Sequence, residues 1–221
     1  HFTNTNCSVC GFRNPDLFTN LDRSVNEDVV HVSFYPSRPY ADCKLNNHNT
    51  TENDNRTKYY GIFGSTPQIT INGNVPNRPS FDDNNLFVPF QEKQSSFLVK
   101  SNYEIDKDSF YTRIKVESNM VANWDGLALV VLAVEDTVFY KGRNSENQHY
   151  NVFRRSFTGI EPSAFKEEVA IGDSAIAYFS LPISADWDLD RMYTIALLQN
   201  IDTKEVVQVA KGTQSTAKKP V

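Results

Sequence analysis

Two cysteines sit close together near the start of the sequence, as Cys7-Ser8-Val9-Cys10. A pair at this separation has three readings: a thiol–disulfide exchanger, a structural disulfide, or two idle thiols. Exchange needs a thiol that is partly ionised near neutral pH, whereas a free cysteine titrates near about 8.5. The start of a helix stabilises the anion through unpaired N–H groups and aligned peptide dipoles. With a helix beginning at Cys7, that sulfur lies at the helix mouth and Cys10 lies one turn deeper. Cys7 then attacks and Cys10 resolves. A metal site would want a second close pair, and the remaining cysteine, Cys43, stands alone. No metal and no cofactor are expected.

Other residues carry weaker chemical readings. Cys43, in Tyr40-Ala41-Asp42-Cys43-Lys44, reads as a second resolving thiol or, better, as a semi-buried single cysteine. His31, His48 and Cys43 imitate a metal set without the close second motif that would support one. In the second half, Glu135, Asp136, His149, Arg154 and Arg155 form the main polar set. A histidine with a carboxylate invites a hydrolase reading, but no serine on a strand-to-helix elbow goes with it. Strand-end charges closing a sandwich account for the set better. Trp124 and Trp187 read as sugar platforms or, more commonly, as core and rim packing.

The elements that must position these residues divide the chain in two. Residues 1–93 read as mixed α and β. Leu17, Phe18 and Leu21 recur at helical spacing, predicting a helix to about residue 23 that Pro15 should kink. Val30, Val32 and Phe34 alternate, predicting a strand over about 28–35. The asparagine-rich stretch 44–57 reads as polar turns, followed by a short helix over 56–62. A strand over 68–71 ends at the turn signal Asn72-Gly73. A weaker helical pattern covers about 82–93. Residues 94–212 read as about seven strands at regular intervals, a β-sandwich. In one of them Phe110, Thr112, Ile114 and Val116 alternate with Tyr111, Arg113, Lys115 and Glu117, giving a dry face and a wet face. Leu127 to Val134 is a continuous apolar strand, expected at the centre of a sheet. The polar tail 213–221 is expected to be disordered.

Composition narrows the function classes. The 221 residues carry 22 Lys+Arg against 27 Asp+Glu, a net charge of −5, and no concentrated basic face for nucleic acid. The longest apolar run, Leu127 to Val134, is 8 residues, against roughly 20 for a spanning helix. The sequence opens on His1-Phe2-Thr3, which leaves room for a targeting segment ahead of it.

Beyond these patterns the sequence resembles thioredoxin-like proteins. In that family a CxxC opens a helix, with a proline often five residues after the second cysteine, as Pro15 follows Cys10 here. A cis-proline at a strand start then faces the dithiol, and Ser65-Thr66-Pro67-Gln68-Ile69-Thr70-Ile71 looks like that element. A trans-proline at a strand edge is the plainer alternative for Pro67. The resemblance implies that Thr66 and Pro67 form the substrate-facing wall. Ser8-Val9 departs from the dipeptides of known reductants and oxidants, so the direction of electron flow does not transfer.

A narrower resemblance rests on the order of several short pieces. Phe2-Thr3, Asn14-Pro15, Tyr59-Tyr60-Gly61 and Asn72-Gly73 come first, then Val134-Glu135-Asp136, His149-Tyr150-Asn151-Val152-Phe153-Arg154 and Phe157-Thr158-Gly159. Together they look like the Omp28-related proteins of Bacteroidetes, a thioredoxin-like domain followed by a β-sandwich. This implies an α/β thioredoxin-like domain over 1–93 and an all-β sandwich over 94–212. It implies export to the periplasm, outer membrane or surface of a Gram-negative cell, with membrane attachment only through a lipid anchor outside this sequence. The partners implied are protein or peptide thiols and disulfides, with an envelope partner on the sandwich. The activity implied is dithiol exchange at Cys7 and Cys10. The alternative is a non-catalytic envelope protein that keeps the fold and a structural disulfide, since fold does not fix function.

Overall fold

The computed structural model describes residues 1–24, 29–77, 79–91, 94–159 and 169–215. Four helices precede eight strands among these residues: α1 (Ser8–Arg23), α2 (Lys44–Asn47), α3 (Thr50–Tyr59), α4 (Val88–Gln91), then β1 (Phe97–Asp106), β2 (Ser109–Ser118), β3 (Leu127–Phe139), β4 (Gln148–Ser156), β5 (Ser174–Pro182), β6 (Met192–Asn200), β7 (Val206–Lys211) and β8 (Thr213–Gln214). The strands form two sheets of four, ordered β5-β2-β1-β8 and β4-β3-β6-β7. This is a mixed α/β fold with a β-rich second half. No described helix is long and apolar enough to cross a membrane.

The strands follow the side-chain alternation. On β2, Phe110, Thr112, Ile114 and Val116 are buried while Tyr111 is exposed and Arg113 and Lys115 are half-buried. The apolar run in β3 has a specific cause. Leu127, Leu129 and Val131 pack on Phe97, Val99, Ile114 and Val116 of the other sheet. Val130, Leu132 and Val134 face the opposite way, onto Phe2, Phe34, Tyr60 and Phe153. The strand is therefore buried on both faces, by the sandwich and by the N-terminal segments. Each such side chain contributes roughly 1.5–3 kcal/mol of burial.

The two halves also share backbone pairing. Ser33 N–H donates to Asn151 O at 2.8 Å and Phe153 N–H donates to Ser33 O at 2.9 Å, which adds the 33–34 segment beside β4. Phe34 N–H bonds His1 O at 2.8 Å and Thr3 N–H bonds Phe34 O at 3.0 Å, and Phe2 exchanges two bonds with Gln68. Ile71 and Asn74 pair across Asn72-Gly73, with φ of 47° and 85°, the left-handed geometry of a tight hairpin turn. From the other end, Val206 N–H at the start of β7 donates to Asn72 O at 3.0 Å. The paired segments thus run from the hairpin through β4, β3 and β6 to β7 and back to the hairpin.

Several expected elements differ. The strand over 28–35 is reduced to bridges at Ser33 and Phe34, and that over 68–71 to bridges at Gln68 and Ile71. The stretch 44–57 is not a loop but α2 and most of α3, which ends at Tyr59 rather than 62. Asn49 caps α3 by accepting from Glu52 N–H, and its amide donates back to the Glu52 carboxylate at 2.6 Å. The inward face of these helices binds backbone instead of apolar side chains. Asn53 accepts from Tyr35 N–H at 2.8 Å, Asn46 donates to Tyr35 O at 2.7 Å, and Asp54 accepts from Ser37 N–H at 2.7 Å. That is why the stretch lacks an apolar stripe. The helix expected over 82–93 shrinks to α4, and residues 92–93 lie outside the described residues. Thr213 and Gln214, expected in the tail, form β8 beside Asn102 and Tyr103 of β1, an edge pairing that composition does not register. The rest of that tail, 216–221, lies outside the described residues.

Candidate functional site

α1 begins where the chemistry requires. Cys7 caps it in an extended conformation, and its sulfur accepts from Cys10 N–H at 3.0 Å. Cys7 and Cys10 are joined as a disulfide with Cα atoms 5.2 Å apart, within the ordinary range for such a bond. Pro15 lies inside the helix.

The second sequence element comes to the same place. The Thr66–Pro67 peptide bond is cis, and Thr66 O lies 3.7 Å from Cys7 Sγ. Pro67 is buried, and Thr66 Oγ1 is buried without a hydrogen-bond partner. A second cis bond, Arg38–Pro39, went unforeseen in the sequence.

Access is where expectation and structure part. Cys7 and Cys10 are both 0% exposed. A loop from the β-rich half, residues 140–147 between β3 and β4, packs against the residues on either side of the disulfide. Asn144 N–H donates to Thr5 O at 3.0 Å, and its side-chain amide reaches Asn4 O at 3.3 Å. Glu146 accepts from Asn14 Nδ2 at 2.9 Å and also from Asn144 Nδ2. Asn14, on α1, also holds the N-terminal segment: it donates to Thr3 Oγ1 at 2.9 Å, and its Oδ1 lies 3.1 Å from His1 Nε2. Contact is tightest at Gly11, where a Cβ would stand 2.2 Å from the Asn144 carbonyl oxygen. At the helix start two apolar residues point outward beside the exposed Ser8: Val9 is 49% exposed and Phe12 80%. The loop residues were legible only as turns. The signal that marks them is Gly11, a glycine inside a helix directly after Cys10.

The remaining candidates do not join this site. Cys43 is buried rather than half-exposed, with Sγ 3.2 Å from Thr5 Oγ1. Among the described residues no group of three or more His, Cys, Asp or Glu is placed to hold a metal. His149 is buried against Tyr140 O at 2.9 Å. Glu135 and Arg154 form a buried ion pair 2.9 Å apart, too oblique for a hydrogen bond, and Arg154 also reaches the Asp186 carboxylate at 3.3 Å. Burial raises the Glu135 carboxyl above its usual range, against the pull of Arg154. His48 bonds Phe153 O at 3.0 Å, and burial, aided by Arg154, pushes its pKa down to about 4. This is a charge cluster of ion pairs and backbone bonds, in which the Ser184 hydroxyl donates to the Asp186 carboxylate and not to a histidine. Trp187 is buried in the core with Phe110 and Met192, and Trp124 packs edge-on against Phe97 at 4.8 Å.

Comparison with known proteins places the fold. HBP35 of Porphyromonas gingivalis matches 100% of this chain and 77% of its own, with a TM-score of 0.78 at 10% sequence identity. The two share a fold. A domain of the outer membrane lipoprotein Omp28 from Porphyromonas gingivalis overlaps 55% of this chain and 92% of its own at 14% identity, with a TM-score of 0.39, too low to establish a common fold. Both are proteins of Porphyromonas gingivalis. No family model matches the sequence, and no curated protein matches it.

Proposed function

We propose that this chain is an extracytoplasmic binding or structural protein on a thioredoxin-like scaffold, with Cys7–Cys10 as a sealed structural disulfide. The observation that carries the reading is the 0% exposure of both cysteines. Exchange proceeds by attack of a thiolate on a disulfide sulfur, so a sulfur that nothing can approach is inert while its cover stays in place. The fold shared with HBP35 supports the thioredoxin-like assignment, as do the CxxC at a helix start and the cis-proline beside it. The disulfide itself supports an oxidising compartment. On this reading the β-rich half serves as the surface that meets an envelope partner.

One observation favours a second reading, a thiol–disulfide oxidoreductase. Cys7 caps α1 and already accepts the Cys10 N–H, an arrangement that would stabilise a thiolate after reduction. In that cycle an external dithiol first reduces the Cys7–Cys10 bond and leaves as its own disulfide; the Cys7 thiolate then attacks a substrate disulfide and forms a mixed disulfide, releasing one substrate thiolate. The Cys10 thiolate then attacks Cys7 Sγ, re-forms the internal bond and releases the second, so two electrons pass to the substrate. Thr66 and Pro67 would form the wall against which that substrate chain lies.

Equilibration in graded thiol buffers, with alkylation of free thiols, separates the two. The sealed disulfide should have a potential below about −300 mV and no turnover that Cys7→Ser removes. A potential between roughly −270 and −120 mV, with protein-disulfide reduction lost in Cys7→Ser, would establish the oxidoreductase instead.

A further inference from the structure

Away from the disulfide and the buried ion pair, the structure forms a half-open cavity of about 590 Å³. Its walls come from both halves: Leu21 of α1, Phe34, Ile71, Phe87 near α4, Leu197 of β6 and Val209 of β7. A space of this size falls within the range of small-molecule sites, about 300–1,000 Å³, and here the apolar side chains are interspersed with polar ones, among them His31, Asn72 and Gln208.

Arg56 is the residue that sets the ligand's chemistry. It stands on α3 and lines the cavity half-buried. Its Nη2 donates to Tyr60 Oη at 2.8 Å and to Gln199 Oε1 at 2.8 Å, and its guanidinium packs on the rings of Tyr59 and Tyr60, with centroids at 5.2 and 4.9 Å. Every one of these partners is neutral. Its Nε–H is buried with no hydrogen-bond partner, and Arg56 forms no ion pair among the described residues. Glu205 also lines the cavity, but it has interactions of its own and is not within ion-pair distance of Arg56. A guanidinium drawn out of water and left without an anion is unfavourable, and an oxygen anion is what completes it. His31, which also lines the cavity, is kept neutral by burial, which holds its pKa well below the usual value. Arg56 therefore offers a single fixed positive charge to one singly charged head.

We propose that this cavity binds a long-chain carboxylate, its aliphatic tail among the apolar walls and its carboxylate on Arg56. The inference does not depend on how the disulfide is read.

The test titrates the full chain with cis-parinaric acid, a fluorescent long-chain fatty acid, and displaces it with palmitate or with hexadecanol. Palmitate should displace the probe at least about tenfold better than hexadecanol, because the alcohol lacks the charge that Arg56 completes. In Arg56→Met the acid-to-alcohol ratio should collapse to about 1, a readout that a general loss of stability does not mimic. Leu21→Trp, which fills the cavity from α1 and keeps Arg56, should abolish uptake of the probe. The proposal is overturned if the wild-type chain does not take up the probe, if acid and alcohol compete equally, or if Arg56→Met keeps the ratio. Tighter binding of hexadecyl phosphate than of palmitate would overturn the carboxylate assignment.

Discussion

If the 140–147 loop is what seals the disulfide, loosening it should expose the sulfurs without dismantling the fold. Glu146→Ala is the cleanest perturbation. The carboxylate accepts from the amides of Asn14 and Asn144, and removing it leaves each amide another acceptor, Thr3 Oγ1 at 2.9 Å and Asn4 O at 3.3 Å. Each amide carries two N–H groups, so one on each loses its acceptor, and the loss is at least that of two bonds to a charged group. At the lower end of the range, about 1.5 kcal/mol each, the closed loop loses about 3 kcal/mol. A tenfold change takes about 1.4 kcal/mol, so the open population should rise about 100-fold. When the loop recloses faster than reductant attacks, the reduction rate follows that population. The assay is reduction by a water-soluble phosphine at pH 7, read as free thiols against time. Glu146→Ala should react about 100-fold faster than wild type, with its melting temperature lowered by about 6–12 °C. Phe153→Ala, destabilised at least as much but remote in kind, controls for global unfolding. A Glu146→Ala rate within about threefold of wild type, or equal acceleration by Phe153→Ala, would refute the loop as the seal.

Three further perturbations probe the frame. Phe153 is buried in the core that both halves share, with its ring 4.7 Å from that of Phe34, so Phe153→Ala should cost about 3–5 kcal/mol and shift a single calorimetric transition. Two separate transitions, only one of them shifted, would contradict a common core. Gly73 has φ of 85°, and a Cβ there would stand 1.8 Å from Lys204 O, so Gly73→Val should destabilise by about 2 kcal/mol or more. Hydrogen exchange should show it at the Val206 amide, which loses its protection; an unchanged rate there would mean that the join to Asn72 contributes nothing. The third concerns pH. His48 is held near pKa 4 in the fold against about 6.5 when unfolded, so the unfolded chain takes up the proton first. Stability is therefore complete above about pH 6.5 and is lost as pH falls towards 4. The gap corresponds to about 3 kcal/mol, reduced to about 2 by the side chain's partial exposure. Urea titrations at pH 7 and pH 4.5 should show that loss in wild type and a clearly smaller one in His48→Asn, and equal losses would remove His48 as the cause.

Most of the strands were legible because a sheet writes its burial into the side-chain period. Phe110 to Val116 alternate as they do because one face of β2 meets the other sheet and the other meets water. The helix start at Cys7 and the hairpin at Asn72-Gly73 were legible for a related reason, since both depend on residues adjacent in sequence. α2 and the first part of α3 read as turns because their inward face holds Asn46, Asn53 and Asp54, which bind the backbone of 35–37. A helix that packs by hydrogen bonds has no apolar stripe to betray it.

Remote contact leaves a different trace, namely room. Gly73 needs its left-handed backbone for the turn, so its closeness to Lys204 adds nothing that the turn did not already demand. Gly11 is another matter. It lies at the end of the first turn of a regular helix, where glycine is unfavourable by up to about 1 kcal/mol relative to alanine and no special φ asks for it. A residue that weakens its own helix and serves no turn must serve a neighbour, and the neighbour is the Asn144 carbonyl. Read that way, a helical glycine directly after a CxxC marks something lying across the mouth of the helix. On the proposed reading, that packing is what keeps the Cys7–Cys10 disulfide out of reach.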